Sequence, residues 1–161
     1  MLDFGCGLGN LAIAAAEQGC TVLALDASVA AIDGLRQRAA TAALPIEAIE
    51  ADLQQHQVRE DFDCVVSISV LMCFDYPTAV QLLSMLQDRV RPGGIAVINT
   101  LIEGTSYFDM FGTGSYCLLR RDELASRFAG WSIMHSEFED FDMPDGRVKS
   151  FVTLIARKAG E

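Results

Sequence analysis

The chain has 161 residues, 51% of them apolar, and a formal net charge of −10. This length and composition predict one domain with a real core and argue against a disordered segment. No apolar run is long enough to span a bilayer, and the first residues lack the basic and apolar regions of a signal peptide. The acidic surface disfavours nucleic acid and anionic membranes as partners. The five cysteines form no CxxC pair and no metal-ligand spacing, so we expect reduced thiols, no metal and a cytoplasmic location.

Strand-like and helix-like segments alternate in the first half of the chain, which predicts a parallel sheet with helices on both faces. Strands are expected at 1–4, 21–25, 46–51 and 62–70. A first helix at 11–18 ends at Gly19, and a second runs from its cap at Ser28 to about Ala43. The nearly unbroken apolar run at 62–70 is typical of a strand buried on both faces.

The second half continues this alternation and then changes character. We expect a helix at 78–90, a sharp turn at 92–94, a strand at 95–101 and a short helix at 121–128. The segments 131–139 and 148–158 predict an antiparallel pair around the turn Met143-Pro144-Asp145-Gly146. The glycines and aromatic residues at 103–115 fit a mobile segment over a pocket and a packed loop equally well.

These elements predict an α/β fold with a Rossmann-like, doubly wound sheet. The sheet is mostly parallel and seven-stranded, it ends in a C-terminal antiparallel hairpin, and helices on both faces give three layers, αβα. A central strand that starts at the first residue is unusual. We therefore expect residues 1–161 to be the core of a domain that lacks an upstream helix and part of its first strand.

A glycine-rich loop, Asp3-Phe4-Gly5-Cys6-Gly7-Leu8-Gly9-Asn10, follows the first strand and precedes a helix. Glycine lets the backbone turn tightly and approach a ligand without a Cβ in the way. A dinucleotide site requires G-x-G-x-x-G and binds a pyrophosphate, whereas this loop reads G-x-G-x-G beside an acid, Asp3. An acid suits a cationic adenosyl sulfonium better than it suits a pyrophosphate.

Two further acids follow the second and third strands. Asp26 lies about 20 residues after the first glycine, where a carboxylate can accept two hydrogen bonds from a ribose diol. Asp26 could also be a helix cap, although Ser28 is the better candidate for that role. Asp52 could meet an adenine amino group while Leu53 packs on the ring; taken alone, Asp52 would be an ordinary loop acid. Ligands of open α/β sheets bind outside the carboxyl ends of strands, where we expect all three acids.

The loop at 3–9, Asp26, Asp52, the strand at 62–67 and the turn at 91–94 together resemble a class I methyltransferase over essentially the whole chain. The resemblance implies that S-adenosylmethionine is the cofactor. The residues that it assigns to cofactor binding are Asp3, Gly5, Cys6, Gly7, Asp26, Ala27, Asp52, Leu53, Ile68 and Ser69. It places Gly5 and Gly7 at the methionine part and Asp26 at the ribose. Asp52 and Leu53 are assigned to the adenine, and Ile68 and Ser69 line the methyl-donor side.

Within that superfamily, the chain is most similar to the tellurite-resistance type of methyltransferase. The similarity rests on the segments at 70–74, 119–124, 130–131 and 154–158. That type carries a His-Arg pair ahead of the last strand, which is thought to serve the acceptor. This chain has Glu139-Asp140-Phe141-Asp142-Met143 in that region, and the acidic departure argues against an oxyanion acceptor such as tellurite.

Methyl transfer from a sulfonium is an in-line displacement, so the protein mainly holds the nucleophile and the methyl group in line. A thiolate or chalcogenide needs little help from a base, whereas an alcohol or a protonated amine needs one within hydrogen-bond reach. His56, His135, Tyr107 and Tyr116 fit solvated or structural roles better than the role of such a base.

We therefore expect methyl transfer to a small-molecule acceptor, with a soft thiol or chalcogen nucleophile as the favoured class. One alternative is a catalytically silent module that binds S-adenosylmethionine or S-adenosylhomocysteine (SAH). Another is a nicotinamide-dependent oxidoreductase, which the glycine spacing disfavours. A homodimer is compatible with the sequence.

Overall fold

The computed structural model describes residues 1–160 and contains seven strands. They are β1 (Leu2–Phe4), β2 (Val22–Asp26), β3 (Ile46–Glu50), β4 (Phe62–Ile68), β5 (Val90–Leu101), β6 (Ser132–Asp142) and β7 (Val148–Arg157). The helices are α1 (Asn10–Glu17), α2 (Val29–Thr41), α3 (Tyr76–Asp88) and α4 (Glu123–Arg127), with 3-10 turns at Leu71–Cys73 and Asp109–Phe111.

All seven strands form one sheet in the order β3-β2-β1-β4-β5-β7-β6. The strands from β3 to β5 pair in parallel, and β7 runs antiparallel to both β5 and β6. The predicted Rossmann-like fold with a C-terminal antiparallel hairpin is therefore confirmed.

Two hydrophobic cores hold the helices on the sheet. The larger core includes Leu2, Phe4 and Ile98 and lies under α3 and α4. The smaller core joins α1 and α2 to β2 and β3 through side chains such as Ala12 and Ile32. Because side chains alternate along a strand, Asp3 points to the opposite face from Leu2 and Phe4, toward the side of the smaller core.

The predicted sharp turn at 92–94 is wrong, because these residues lie inside β5. There the register with β4 slips, so that Phe62 pairs with Val90 but Cys64 pairs with Ile95. A Cβ on Gly94 would lie 2.9 Å from the carbonyl oxygens of Arg91 and Asp63, so only glycine fits this position. The glycines therefore mark a bulge in the strand.

Three other predicted boundaries move for local reasons. β4 ends at Ile68 and not at residue 70, because Ser69 adopts a left-handed conformation with φ +58°. α3 starts at Tyr76, because the Asp75 carboxylate caps it by accepting the Thr78 N–H at 2.9 Å. β6 extends to residue 142, where a turn closed by the Gly146 N–H on the Met143 carbonyl leads to β7.

The segment at 103–115 is a packed loop over its first half. Thr105 is buried, and its hydroxyl accepts the Ser150 N–H at 3.0 Å. The Ser106 N–H donates to the Val148 carbonyl at 2.8 Å. Arg147 binds both carboxylate oxygens of Asp109 at 2.7 Å. These contacts fasten residues 105–109 to the start of β7 and favour the packed alternative for them.

Within residues 1–160, no helix is both long enough and apolar enough to cross a membrane. The same residues hold no group of three or more His, Cys, Asp or Glu side chains placed to ligate a metal ion. All five cysteines are free, and of these only Cys117 is buried.

Candidate functional site

The switch point of the sheet lies between β1 and β4. From β1 the chain moves outward through β2 and β3, then crosses back to β4 on the other side of β1. The crevice at the carboxyl ends of two such strands is the usual ligand site of an open α/β sheet. The glycine loop follows β1 at this point, and Ile68 ends β4 beside it.

Backbone hydrogen bonds hold the glycine loop on the end of β2. The N–H groups of Gly5 and Cys6 donate to the Leu25 carbonyl at 2.8 and 2.9 Å. The Gly9 N–H donates to the Cys6 carbonyl at 2.9 Å, which closes a tight turn before α1. The loop is therefore a fixed part of the rim.

The three loop glycines all have positive φ, but their surroundings differ. A Cβ on Gly5 would collide with Val70, and a Cβ on Gly9 would collide with Leu35. A Cβ on Gly7 would meet no atom within 4 Å. Gly5 and Gly9 thus allow close packing inside the protein, whereas Gly7 leaves bare backbone facing open space.

Asp26, the last residue of β2, ties this loop to the second strand. Its Oδ2 accepts the Gly7 N–H at 2.7 Å, and its Oδ1 accepts the Ser28 N–H at 2.9 Å. Ser28 is the cap of α2, since its hydroxyl accepts the Ala31 N–H at 3.3 Å. Each carboxylate oxygen of Asp26 keeps lone-pair capacity for a further donor, which a ribose hydroxyl would supply.

Asp3 is the most unusual group at the site. It is only 4% exposed, and its Oδ2 has no hydrogen-bond partner among the described residues. Burial raises the pKa of this carboxyl to about 6, the charge of Asp26 adds to the rise, and the Ala12 N–H offsets part of it. A buried carboxylate oxygen without a partner is rare in folded proteins and calls for a cationic or donor group from outside.

Cys6 lies in the same loop but is not a nucleophile. Burial raises the pKa of its thiol to about 12, and the charges of Asp3 and Asp26 add to the effect. The thiol therefore stays neutral near pH 7 and acts as a small apolar group.

The residues after β3 are less available to a ligand than the sequence predicts. The exposed carboxylate of Asp52 accepts the Gln54 N–H at 3.0 Å and the Gln55 side-chain amide at 2.8 Å. Leu53 is 7% exposed and belongs to the larger core, so only its edge or its backbone is available to a ligand.

Ala27, which follows β2, is exposed in the short link between Asp26 and α2.

Ile68 and Ser69 form the other side of the crevice. The Ile68 side chain is 45% exposed although it ends a central strand. The Ser69 N–H donates to the Asn99 carbonyl at 2.9 Å, and the Ser69 hydroxyl donates to Asn99 Oδ1 at 3.1 Å. The roles assigned to these residues and to the acids stay predictions.

A family model described as "Methyltransferase domain" matches residues 1–94, which is more than half of the 161-residue chain. The chain belongs to the methyltransferase domain family. The matched part contains β1 to β4, the glycine loop, all three rim acids and the end of β4.

The chain is also similar to several known proteins. Hemagglutinin 1 of Eikenella corrodens is 27% identical over 99% of this chain and 54% of its own length. TehB from Haemophilus influenzae superposes with a TM-score of 0.85 at 20% identity, over 98% of this chain and 56% of TehB. Magnesium protoporphyrin IX methyltransferase from Synechocystis PCC 6803, solved with bound SAH, superposes with a TM-score of 0.77 at 18% identity. The superposition covers 98% of this chain and 73% of that chain.

The two structural likenesses establish a shared fold. The chain spans about half the length of Hemagglutinin 1 and of TehB.

Two apolar residues at the rim of this methyltransferase domain were not predicted. Leu8, between two loop glycines, is 68% exposed, and Val29, three residues after Asp26, is 53% exposed. Both adjoin crevice residues in the sequence, Leu8 next to Gly7 and Val29 next to Ser28. The signal in the sequence was present, since Leu8 stands where glycine and small residues dominate.

Two polar strand residues, Asn99 and Thr153, were also missed. The Asn99 side-chain amide donates to the Thr153 hydroxyl at 2.9 Å, which extends the contacts of Ser69 across β5 to β7. Each residue interrupts an apolar run, at Ile98-Asn99-Thr100 and Val152-Thr153-Leu154. This interruption was the signal that could have identified them.

Three of the residues considered as a base have contacts of their own in the structure. His135 is on the edge strand β6, where its Nε2 lies 3.1 Å from Glu137 Oε2. The Tyr107 ring packs under Arg147 at 4.5 Å, and the Tyr116 ring stacks on Phe111 at 5.1 Å. These contacts agree with structural roles for the two tyrosines.

Proposed function

We propose that this chain binds S-adenosylmethionine at the carboxyl rim of β1, β2 and β4 and transfers its methyl group to a small acceptor molecule. The observation that carries this proposal is the Asp3 carboxylate, which is buried and has one oxygen without a partner in residues 1–160. The ammonium of a methionine moiety would supply the missing donor and the compensating charge.

The rest of the rim fits the same ligand. The open space beside Gly7 admits a ligand against bare backbone. The free lone pairs of Asp26 suit two ribose hydroxyls, and Asp52 is an exposed acceptor for an adenine amino group. The three acids Asp3, Asp26 and Asp52 suit a cation and disfavour the pyrophosphate of a dinucleotide.

When bound, S-adenosylmethionine would supply an electrophilic methyl group on a sulfonium, with the neutral thioether as the leaving group. The chain itself binds and orients the reactants. Asp3 and Asp26 fix one end of the donor, and the exposed Ile68 side chain shields the reacting side from water. Holding donor and acceptor in line provides much of the acceleration in a reaction of this kind.

We propose a soft nucleophile, a thiol or chalcogenide, as the acceptor. The support is the position of His135, which lies on β6 with β5 and β7 between it and β4. Three strand spacings of about 4.8 Å put it roughly 14 Å from the end of β4. A thiol or chalcogenide ionises without a catalytic base, so the distance of His135 from the end of β4 does not prevent its methylation.

Calorimetry and turnover test the proposal. The chain is titrated with SAH and, separately, with NAD. It is then incubated with radiolabelled S-adenosylmethionine and either a thiol and selenide panel or a phenol and amine panel. SAH binding with label transfer to the first panel supports the proposal. Transfer only to the second panel overturns the soft acceptor. SAH binding without transfer to any acceptor supports the silent module, and binding of NAD alone would refute the donor site.

A further inference from the structure

We infer that Asn99 is a positioning residue for the donor site, because it holds Ser69 in a left-handed backbone conformation at the end of β4. The inference rests on the proposed function, since it concerns how the crevice is shaped for the donor. In this role the Asn99 side chain acts through Ser69 and does not have to touch the ligand.

The conformation of Ser69 is the first observation. Among the described residues, only Ala43 and Ser69 have positive φ without being glycine, at +49° and +58°. Ala43 lies just after the end of α2, where left-handed residues are common. Ser69 instead ends a central strand at the switch point, where an L-residue pays a steric cost for this turn. Some neighbouring group must stabilise it.

Asn99 supplies that stabilisation through two bonds. Its backbone carbonyl accepts the Ser69 N–H at 2.9 Å, and its Oδ1 accepts the Ser69 hydroxyl at 3.1 Å. The amide is oriented in turn by Thr153, whose hydroxyl accepts from Asn99 Nδ2 at 2.9 Å. The three residues form a chain of hydrogen bonds from the end of β4 across β5 to β7.

The position of these hydrogen bonds explains what they would do. In the sheet register, Ile68 pairs with Asn99, and Asn99 pairs with Thr153. Release of Ser69 would let the chain continue as a strand or relax to another turn, and the exposed Ile68 side chain would move with it. The crevice opposite the glycine loop would then lose its shape, so the donor would bind more weakly.

The test uses the full chain and SAH as the probe in calorimetric titrations. Asn99→Leu removes both side-chain bonds at similar size, and we expect the dissociation constant to rise about 10-fold. Ser69→Gly removes the steric cost of positive φ, so the turn no longer needs Asn99. We therefore expect Asn99→Leu/Ser69→Gly to recover to within about 3-fold of Ser69→Gly alone, a coupling that independent sites do not show.

Two further variants complete the design. Thr153→Val frees the amide of Asn99 and should weaken binding about 3-fold. Thr100→Val is the matched control, because Thr100 is buried beside Asn99 but faces the opposite side of β5. It should leave the dissociation constant unchanged even where it lowers the melting temperature.

The inference is overturned if Asn99→Leu binds SAH as the wild type does, or if the double variant is as weak as Asn99→Leu alone. If Asn99→Leu does not fold, Thr153→Val is measured with and without Ser69→Gly. The inference is then overturned if Thr153→Val binds SAH as the wild type does, or if Ser69→Gly does not remove its effect. A wild-type chain that does not bind SAH at all would refute the proposed function and, with it, this inference.

Discussion

The two halves of the carboxyl rim are built in different ways. The half around β1, β2 and β4 is one connected unit in which the Leu25 carbonyl and the Asp26 carboxylate hold the glycine loop by its backbone. The half around β6 and β7 adds side-chain contacts between residues far apart in the chain, such as Arg147 with Asp109, to backbone bonds such as the Ser106 N–H on the Val148 carbonyl. Its edge strand β6 is exposed along its whole length.

This difference separates what is common to a family from what is particular to one chain. A donor that every member shares requires a fixed rim, and backbone hydrogen bonds supply it with little dependence on side chains. An acceptor that differs between members is better met by a surface whose side chains change freely. We therefore expect changes at the first half, and at Thr153 of β7 through its bond to Asn99, to affect the donor. Changes at the exposed strand β6 should affect the acceptor alone.

The largest expected effect is that of Gly7→Val. The branched side chain would fill the open space beside the loop and would have to adopt φ +51°. We expect SAH binding to weaken by more than about 100-fold in calorimetry. Gly130→Val is the control, because Gly130 also has positive φ and open surroundings but lies after α4. Loss of binding in the control as well would show that strain alone accounts for the effect.

Asp26→Ala should have the next largest effect. It removes a charged acceptor for the ribose and releases the Gly7 N–H, so we expect a loss of about 1.5–3 kcal/mol in SAH binding. Asp33→Ala, an exposed acid of α2 paired with Arg36, should leave the affinity unchanged. Normal binding by Asp26→Ala would remove Asp26 from the site.

Asp3 makes both stability and binding depend on pH. Because its pKa is raised to about 6 in the folded chain, Asp3 favours folding below pH 4 and loses that contribution as the pH rises through 6. The ammonium group of SAH favours the ionised carboxylate. We therefore expect SAH to bind about 10-fold more tightly at pH 7 than at pH 5, with protons released on binding.

Asp3→Asn should flatten this binding profile and raise the melting temperature of the free chain at pH 7 relative to the wild type. A profile that is equally steep in wild type and Asp3→Asn would assign the titration to another group. Titrations in two buffers of different ionisation enthalpy would count the protons.

The smallest effect on the donor is expected in the hairpin. Glu139→Gln with Asp140→Asn changes two charges on β6, far from the glycine loop. The dissociation constant for SAH should stay within about 2-fold of wild type, while the KM for an acceptor changes. A large loss of SAH affinity would erase the distinction between the two halves.

The donor half could be predicted because its signals are local. A strand, a glycine loop, a helix and an acid at the end of the next strand follow one another within residues 1–26. The whole motif can therefore be recognised in one short stretch of sequence. The strand order then follows from the alternation of elements and from the crossover rules of parallel sheets.

The remaining features depend on tertiary contacts that no short window contains. The distinct roles of Gly5, Gly7 and Gly9 depend on Val70 and Leu35, which are distant in sequence. The burial of Leu53 and the bulge at Gly94 likewise arise from neighbouring elements. The role of Asn99 can be recognised only from its hydrogen bonds to Ser69, thirty residues earlier, and to Thr153 on β7.

A crystal structure of the chain with SAH tests the donor site most directly. The ligand is expected over Gly7, with its ribose on Asp26 and its amino group within hydrogen-bond distance of Asp3 Oδ2, which no group of the described residues contacts by a hydrogen bond. Clear density for SAH at another place, with that oxygen still unpaired, would contradict the account.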